Sequence, residues 1–574
     1  MSKVDPITFA VVREKLISIA NGMQETAVRT GVTSFMYEIR DCLFAILDAE
    51  AGVVAESHGL FLASLSPAVK NCLEYIGKEN IEDGDVILAN IPTITGNHTS
   101  DVVVFAPIIY KGQLFGYATT KAHWIDLGAK SSYPTDASNI FEEGLRLPPI
   151  KLYKKGKLQK DIWDIISHNS RAPDLIWGDM QAQIAGCHYA HKPIIELLEK
   201  YGIEAINEII QEMYDYSERI TRLAIEKIPD GTWTAEDQLD SNGIDLDTPV
   251  KIKVKITIKG SDITVDLTGS DPEQHGPLNG LWVTSLSSVR MTVKALTSPE
   301  LPLNEGFNRP ITLIAPKGSI FNANADSPCF LCGNVSGAIG QLISKALCTV
   351  LPEKIPASSG ADVIGQGFMG IDPRNGKYWS TITPCLVGQG ADYISDGDSY
   401  LLGQTQNIPT EILESTFPLL VEKTELIQDS GGAGKYLGGP GSRLHLRLLA
   451  PATYYSFLEK GKSPHWGVDG GKPGLRNYIL IKSKEMGEFE ILKHPGVPLA
   501  ENDRVVVTAG GGGGYGDPLE RPIETVRMDV FMGYISVEFA RQEFGVVIDP
   551  QSFEVDNTAT EKIRDDMSRQ KSDG

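Results

Sequence analysis

The chain's 574 residues, 41% hydrophobic and 22% charged, have the composition of a globular protein too long for one core, so two to four domains are expected. Its 53 lysines and arginines against 74 aspartates and glutamates give a net charge of −21, which speaks against a nucleic-acid partner, since basic patches hold such partners. No run of about 18 apolar residues occurs, "MSKVDPITFAVVREKL" lacks a secretory pattern, and seven scattered cysteines suggest no disulfide framework, so a cytoplasmic protein is expected.

Asp5 before Pro6 suits a helix start, because the carboxylate can cap free amides and proline is tolerated at the first helical position. Phe9, Val12, Leu16, Ile19 and Met23 then recur at helical spacing. "CLFAILDAEAGVVAESHG" predicts strand, turn, strand, with Gly52 in the turn. "GDVILANIP" and "DVVVFAPIIYKGQLFGYATTKAHW" predict further strands, the second run broken by the turn "YKGQ". From Asp161 the period turns helical for about sixty residues, closing a first domain, 1–228, of sheet plus helices. The turn formers of "PDGTWTAEDQLDSNG" open a central α+β domain, 229–419, where "VKIKVKITIKGSDITVDLTGS" predicts a hairpin and "GNVSGAIGQLISKALCTVLP" a helix. Residues 420–574 read as a glycine-rich β domain with a helical tail, "IETVRMDVFMGYISVEFARQEFG", and a polar, frayed end, "RDDMSRQKSDG". The expected fold class is α+β, multi-domain, with mixed sheets and a helical block.

Two histidines stand at strand ends, each with an aspartate three residues on: His98 with Asp101 in "TITGNHTSD", and His123 with Asp126 in "KAHWIDLG". Metal sites need lone pairs that converge from rigid elements, and neighbouring strand ends deliver them. Imidazole with carboxylate suits zinc, manganese or iron(II), and an incomplete protein shell leaves room for water or substrate. His-x-x-Asp is also a weak pattern that local hydrogen bonding can explain, and Asp126 could instead orient the His123 ring. In "MYEIRDCLFAILD", Glu38, Arg40 and Asp41 precede an apolar strand, where a turn or a surface ion pair is the simpler account. Cys329 and Cys332 in "CFLC" lack a second pair for structural zinc and thioredoxin-like surroundings for redox chemistry, so buried thiols are expected. "AGGGGGYGDP", Ala509 to Pro518, lacks the Gly-Lys-Ser/Thr of a phosphate-binding loop, and its glycines suit tight packing. Any ATP is therefore expected on another chain.

Taken together, "DPITFAVVREKL", "EIRDCLFAILD", "GDVILANIP", "GNHTSDVVVFAPI", "KAHWIDLG", "FEEGLRLPPIKLY" and "SRAPDLIWGDMQAQIAG" resemble the hydantoinase B/oxoprolinase family, which also takes in acetone and acetophenone carboxylase subunits. "PDGTWTAEDQLDSNG", "ELPLNEGFNRPITLIAPKGS", "GGAGKYLGGPGSR" and "AGGGGGYGDPLERPIETVRMDV" extend the likeness over nearly the whole chain. The resemblance implies a beta-type subunit working with a larger ATP-binding hydantoinase A-type subunit in an (αβ)2 heterotetramer, with ATP and Mg2+ held on that partner. It implies a metal site on His98, Asp101 and His123; two imidazoles with carboxylates suit a divalent ion, Zn2+ first, with Mn2+ or Fe2+ open. Asp41 is the implied fourth ligand, Glu38 its alternative, and Asp126 a ring-orienting or proton-transfer group.

Hydantoinase-type members often read His-His-Ala-Asp-x-Gly-Gly where this chain has "AHWIDLGAK". Trp124 in place of the second histidine is expected to enlarge the apolar surface beside the metal, and "KSSYPTDASNIF" to line the same cleft. Ala129 replaces the last glycine. The implied activity is ring opening of a lactam, hydantoin or oxoproline-type amide activated by ATP on the partner. The alternatives are ATP-dependent carboxylation of a ketone, and a scaffold that only stabilises the ATP-binding chain.

Overall fold

The computed structural model describes residues 5–59, 61–359, 365–400 and 406–572. The architecture is α+β and multi-domain, with five sheets among the described residues. The first sheet positions the site. Its strands are β1 (Cys42–Asp48), β2 (Val53–Glu56), β3 (Val86–Ala89), β4 (Asp101–Tyr110), β5 (Gln113–His123), β6 (Ile150–Lys154) and β7 (Lys157–Leu158). They lie in the order β2-β1-β5-β4-β3-β6-β7, with every ladder antiparallel. Between β4 and β5, Lys111 and Gly112 both take positive φ, which a two-residue hairpin turn of matching twist requires. The turn after β1 is held by Asp48, whose carboxylate accepts from the Gly52 amide at 2.8 Å.

Both faces of this sheet are buried. Val102 and Val104 of β4 share a core with the helices Pro6–Thr30 and Pro173–Tyr201, while Val103 and Phe105 share another with the helix Leu65–Ile76 and the second sheet. Burial on both sides explains why "DVVVFA" reads as a continuous apolar run without alternation. The first helix begins as the sequence predicts, with the Asp5 carboxylate accepting from the Thr8 amide at 2.9 Å. Where helix meets sheet, Gly186 has no space for a side chain, since a Cβ would lie 2.4 Å from the Phe44 ring and 2.8 Å from the Met23 carbonyl.

The second sheet holds β8 (Gly231–Leu239), β9 (Val250–Lys259), β10 (Asp262–Asp266) and β11 (Ile311–Ile314), with β10 and β11 parallel. In β9, Ile252, Val254, Ile256 and Ile258 are buried while Lys251, Lys255 and Lys259 face solvent, the alternation of a one-sided sheet. A third sheet pairs Gln366–Ile371 with Ala452–Phe457, so its strands come from both sides of residue 420. The largest C-terminal sheet has Arg504–Ala509 as its central strand, and the glycine run follows that strand in the chain.

That run is packing, not a cradle for phosphate. The amides of Gly512, Gly513, Gly514, Tyr515 and Gly516 donate to the carbonyls of Gly439, Ser358, Lys472, Tyr436 and Val468. The tail contains the expected helices, Ile523–Phe531 and Val537–Phe544. The polar end expected to fray is instead helical over Asn557–Ser572. Arg564 ties it down by donating to the Phe544 and Arg521 carbonyls at 3.0 and 2.9 Å, and Lys571 pairs with Asp517. Tertiary contacts override the low apolar content there. Among the described residues, no helix is long and apolar enough to cross a membrane.

Candidate metal centre

Strand register assembles the site. His123 ends β5, with Asp101 directly opposite it on β4. On the other flank Cys42 of β1 lies opposite Ala122, which sets Asp41 beside His123, and the His123 amide donates to the Asp41 carbonyl at 3.2 Å. Residues opposite one another on neighbouring strands present side chains to the same face, so Asp41, His123 and Asp101 converge. His98 arrives from the turn before β4, where the Asp101 amide donates back to its carbonyl at 3.0 Å. Gly96, at φ +93, supplies the left-handed bend of that turn.

The ligating atoms of His98, Asp101 and His123 all lie within 4.8 Å of one another. His98 Nε2 is 3.6 Å from Asp101 Oδ2, and His123 Nδ1 is 3.1 Å from Asp101 Oδ1. Metal–ligand bonds of about 2.0–2.1 Å at a tetrahedral angle set donors about 3.3 Å apart, so the spacing fits a small divalent ion. Asp41 Oδ1 and His98 Nδ1 are buried without a hydrogen-bond partner. A buried carboxylate oxygen without a hydrogen bond, whose carboxyl interacts with His123, is a group that a bound cation would satisfy. The donor set fits such an ion.

The electrostatics agree. Burial raises the Asp41 carboxyl to about 7, with His123 working against the rise and Asp101 adding to it. Burial also works to raise Asp101, but His98, His123 and Lys121 outweigh it and hold that carboxyl below its ordinary value. Burial pushes His98 down to about 4, which keeps its lone pair free for a ligand.

Several neighbours were not singled out by the sequence. Lys121 is fully buried two residues before His123, and its Nζ donates to Ser64 Oγ, the Thr95 carbonyl and Asn97 Oδ1 at 3.0, 2.8 and 3.0 Å. It thereby fixes the loop that carries His98. Phe35 stacks on His123 with ring centroids 4.9 Å apart, and Phe330 stacks on His98 at 4.5 Å. Tyr133, from the segment expected to line the cleft, lies nearly parallel to His123, with its hydroxyl 3.3 Å from Nε2. Tyr455 and Phe457 stack on Tyr133 in turn. Cys329 and Cys332 are free, buried thiols in the turn that carries Phe330. For residues so far apart in sequence, no spacing rule would have signalled these contacts.

Two expectations are corrected. Asp126 does not orient His123: its oxygens accept from the Arg171 guanidinium and amide, from Ser170 Oγ and from the Gly128 amide. His123 has Asp101 on one ring nitrogen and Tyr133 on the other, which leaves Asp126 no place there. Trp124 adds nothing to the cluster's surface either. As the next residue along it turns to the opposite face, is fully buried, and donates its indole N–H to Gln183 at 2.7 Å. Of the two acidic candidates in "EIRD", Asp41 is the one whose carboxyl interacts with His123 and Asp101, although both it and Glu38 lie outside the three-residue cluster of His98, Asp101 and His123.

A family model described as Hydantoinase B/oxoprolinase matches residues 5–518. The chain is 34% identical over 590 residues to the B subunit of a putative D-/L-hydantoinase from Pseudomonas sp. (strain NS671), covering 98% of each chain. It is 32% identical to the beta subunit of the caprolactamase of Pseudomonas jessenii, covering 98% of this chain and 100% of that one. The solved structure of the ATP-dependent caprolactamase from Pseudomonas jessenii matches it with a TM-score of 0.92 at 30% identity, over 98% of this chain and 100% of the other. The chain therefore belongs to the hydantoinase B/oxoprolinase family.

Proposed function

We propose that this chain is the metal-bearing subunit of an ATP-dependent cyclic-amide hydrolase, opening a lactam or hydantoin ring activated by ATP on a larger partner subunit. The observation that carries this reading is the convergence of the half-buried His98 with the buried Asp101 and His123, with Asp41 adjoining. The similarity to the hydantoinase B subunit and the caprolactamase beta subunit supports the substrate class and the partner.

A divalent ion, Zn2+ by preference for two imidazoles and carboxylates, would supply a Lewis acid for a carbonyl or phosphoryl oxygen and a water of lowered pKa. His98, Asp101, His123 and Asp41 would hold it. Lys121 keeps the His98 loop in register and sets a positive charge beside Asp101. Tyr133 faces His123 Nε2 and so keeps the ring oriented. The aromatic rings of Phe35, Phe330 and Tyr133 pack around both imidazoles, limiting the access of bulk water to a reactive intermediate. In the net reaction, one water adds across the ring C–N bond and a second is consumed as ATP becomes ADP and phosphate.

The test is co-expression with the ATP-binding partner, metal analysis, and incubation with a lactam or a hydantoin plus ATP. One equivalent of metal, absent from His98→Ala, together with ADP formation matched to a ring-opened amino acid, is the expected result. A β-keto acid made from a ketone and bicarbonate would replace the hydrolase reading with the carboxylase one. Unchanged turnover after loss of all four proposed ligands would leave a scaffold.

A further inference from the structure

We propose that Glu143 is a positioning residue for the metal site: its carboxyl latches the Cys329–Phe330 turn, and the turn sets the Phe330 ring against His98. The inference rests on the metal-site reading above. Glu143 ends a short 3-10 turn, Ile140–Glu143, and is fully buried. Its Oε1 accepts from two consecutive backbone amides, those of Cys329 at 2.6 Å and Phe330 at 2.8 Å, and the Cys329 thiol is 3.7 Å from Oε2. Its own carbonyl accepts from Thr99 Oγ1. Glu143 therefore grips both flanks of His98: Thr99, the next residue in the chain, through its carbonyl, and Phe330, the stacked ring, through its carboxyl.

The two rings are close to parallel, with an interplanar angle of 12° and centroids 4.5 Å apart, and Phe330 also meets Tyr133 edge to face at 5.3 Å. Phe330 thus touches residues beside both imidazoles, while its backbone is held by a side chain from 187 positions earlier in the chain. Burial raises the Glu143 carboxyl to about 8, so a neutral side chain of the same shape reproduces its bonding. A glutamine offers one oxygen to the two amides and an N–H toward the Cys329 sulfur.

The experiment compares Glu143→Gln, Glu143→Ala and Phe330→Leu in the full chain. The first readout is iodoacetamide labelling of Cys329 and Cys332, followed by peptide mass, which needs no metal. The second is Zn2+ affinity of the metal-free protein. Wild type and Glu143→Gln should keep both thiols protected and bind Zn2+ within about threefold of one another. Glu143→Ala should label at least about tenfold faster and bind Zn2+ about 10–100-fold more weakly. Phe330→Leu should weaken Zn2+ with the thiols still protected, and it keeps the proposal testable if Glu143→Ala fails to fold. Loss of Zn2+ binding in Glu143→Gln with protected thiols would overturn the latch in favour of a charge effect. Unchanged Zn2+ affinity in Phe330→Leu would also overturn it. A wild-type chain that binds no Zn2+ would instead sink the metal-site reading, and the labelling result alone would then judge the latch.

Discussion

Tyr133→Phe removes a single oxygen from the site and leaves its ring in place. The hydroxyl lies 3.3 Å from His123 Nε2, while Nδ1 faces Asp101 at 3.1 Å. If the ion is held on the Asp101 side, through Nδ1, then Nε2 carries the proton and donates it to the tyrosine oxygen. Removing that acceptor strands a buried N–H, which costs about 1–3 kcal/mol. Loss of a partner that orients a metal-binding histidine weakens binding about 10–100-fold, or about 1.4–2.8 kcal/mol, so the two estimates overlap. The stack against Tyr455 and Phe457, at 4.6 and 5.3 Å, does not involve the hydroxyl, and the phenylalanine ring keeps it. The assay is competition between metal-free protein and a chromophoric chelator for Zn2+, wild type beside variant, with thermal unfolding of both metal-free forms as the folding control. Equal Zn2+ affinities in two equally stable proteins would refute the reasoning and place the ion at Nε2.

Asp126→Asn should keep the full metal content and lower stability by about 1–3 kcal/mol, because Asp126 bonds Arg171 and not His123; metal analysis and calorimetry check this. His465 is fully buried and held down to about 3 by burial, then by Lys460, with Asp237 opposing. The folded chain therefore refuses a proton that the unfolded chain accepts below about 6.5, so this residue's contribution is intact above that pH and is lost progressively toward pH 3. His465→Gln should flatten the acid-unfolding curve over that window. Gly512→Ala would place a Cβ 2.0 Å from the Gln389 carbonyl oxygen and 2.2 Å from its carbon, against backbone that cannot swing aside. Destabilisation at or beyond the upper end of about 1–3 kcal/mol is expected in denaturant titration.

Three of the candidate donors stood out in the sequence because they are local: Asp101 and His123 sit at the ends of two paired strands, and His98 precedes Asp101 by three residues. Asp41, just before a third strand, read as a turn or ion-pair residue and entered only through the family resemblance. The strands themselves announced their ends through turn residues such as Lys111 and Gly112. The errors arose where a residue's direction mattered more than its position. Asp126 follows His123 as closely as Asp101 follows His98, but the chain has left the strand there, and the carboxylate finds Arg171. Trp124 is next to a proposed ligand in sequence and on the other face of the sheet in space, the consequence of a two-residue period.

What sequence reasoning could not supply is the packing around the imidazoles. Phe330 comes from the turn after the second sheet and Tyr455 and Phe457 from the third, and each reaches the site only when separate regions of the chain have come together. Apolar residues in those segments carry no mark that separates a site wall from ordinary core. The buried charges do carry one. Lys121 interrupts a buried stretch of strand, and Glu143 is fully buried two residues after the exposed Phe141; an ionisable group in such a place needs partners strong enough to offset its desolvation. Lys121 holds the Thr95 carbonyl and the Asn97 side chain in the loop before His98, and Glu143 holds the amides of Cys329 and Phe330 in the turn that carries the stacked ring. A lone lysine inside a buried strand, two residues from a candidate ligand, is therefore a better pointer to the supporting structure of a site than any aromatic pattern beside it.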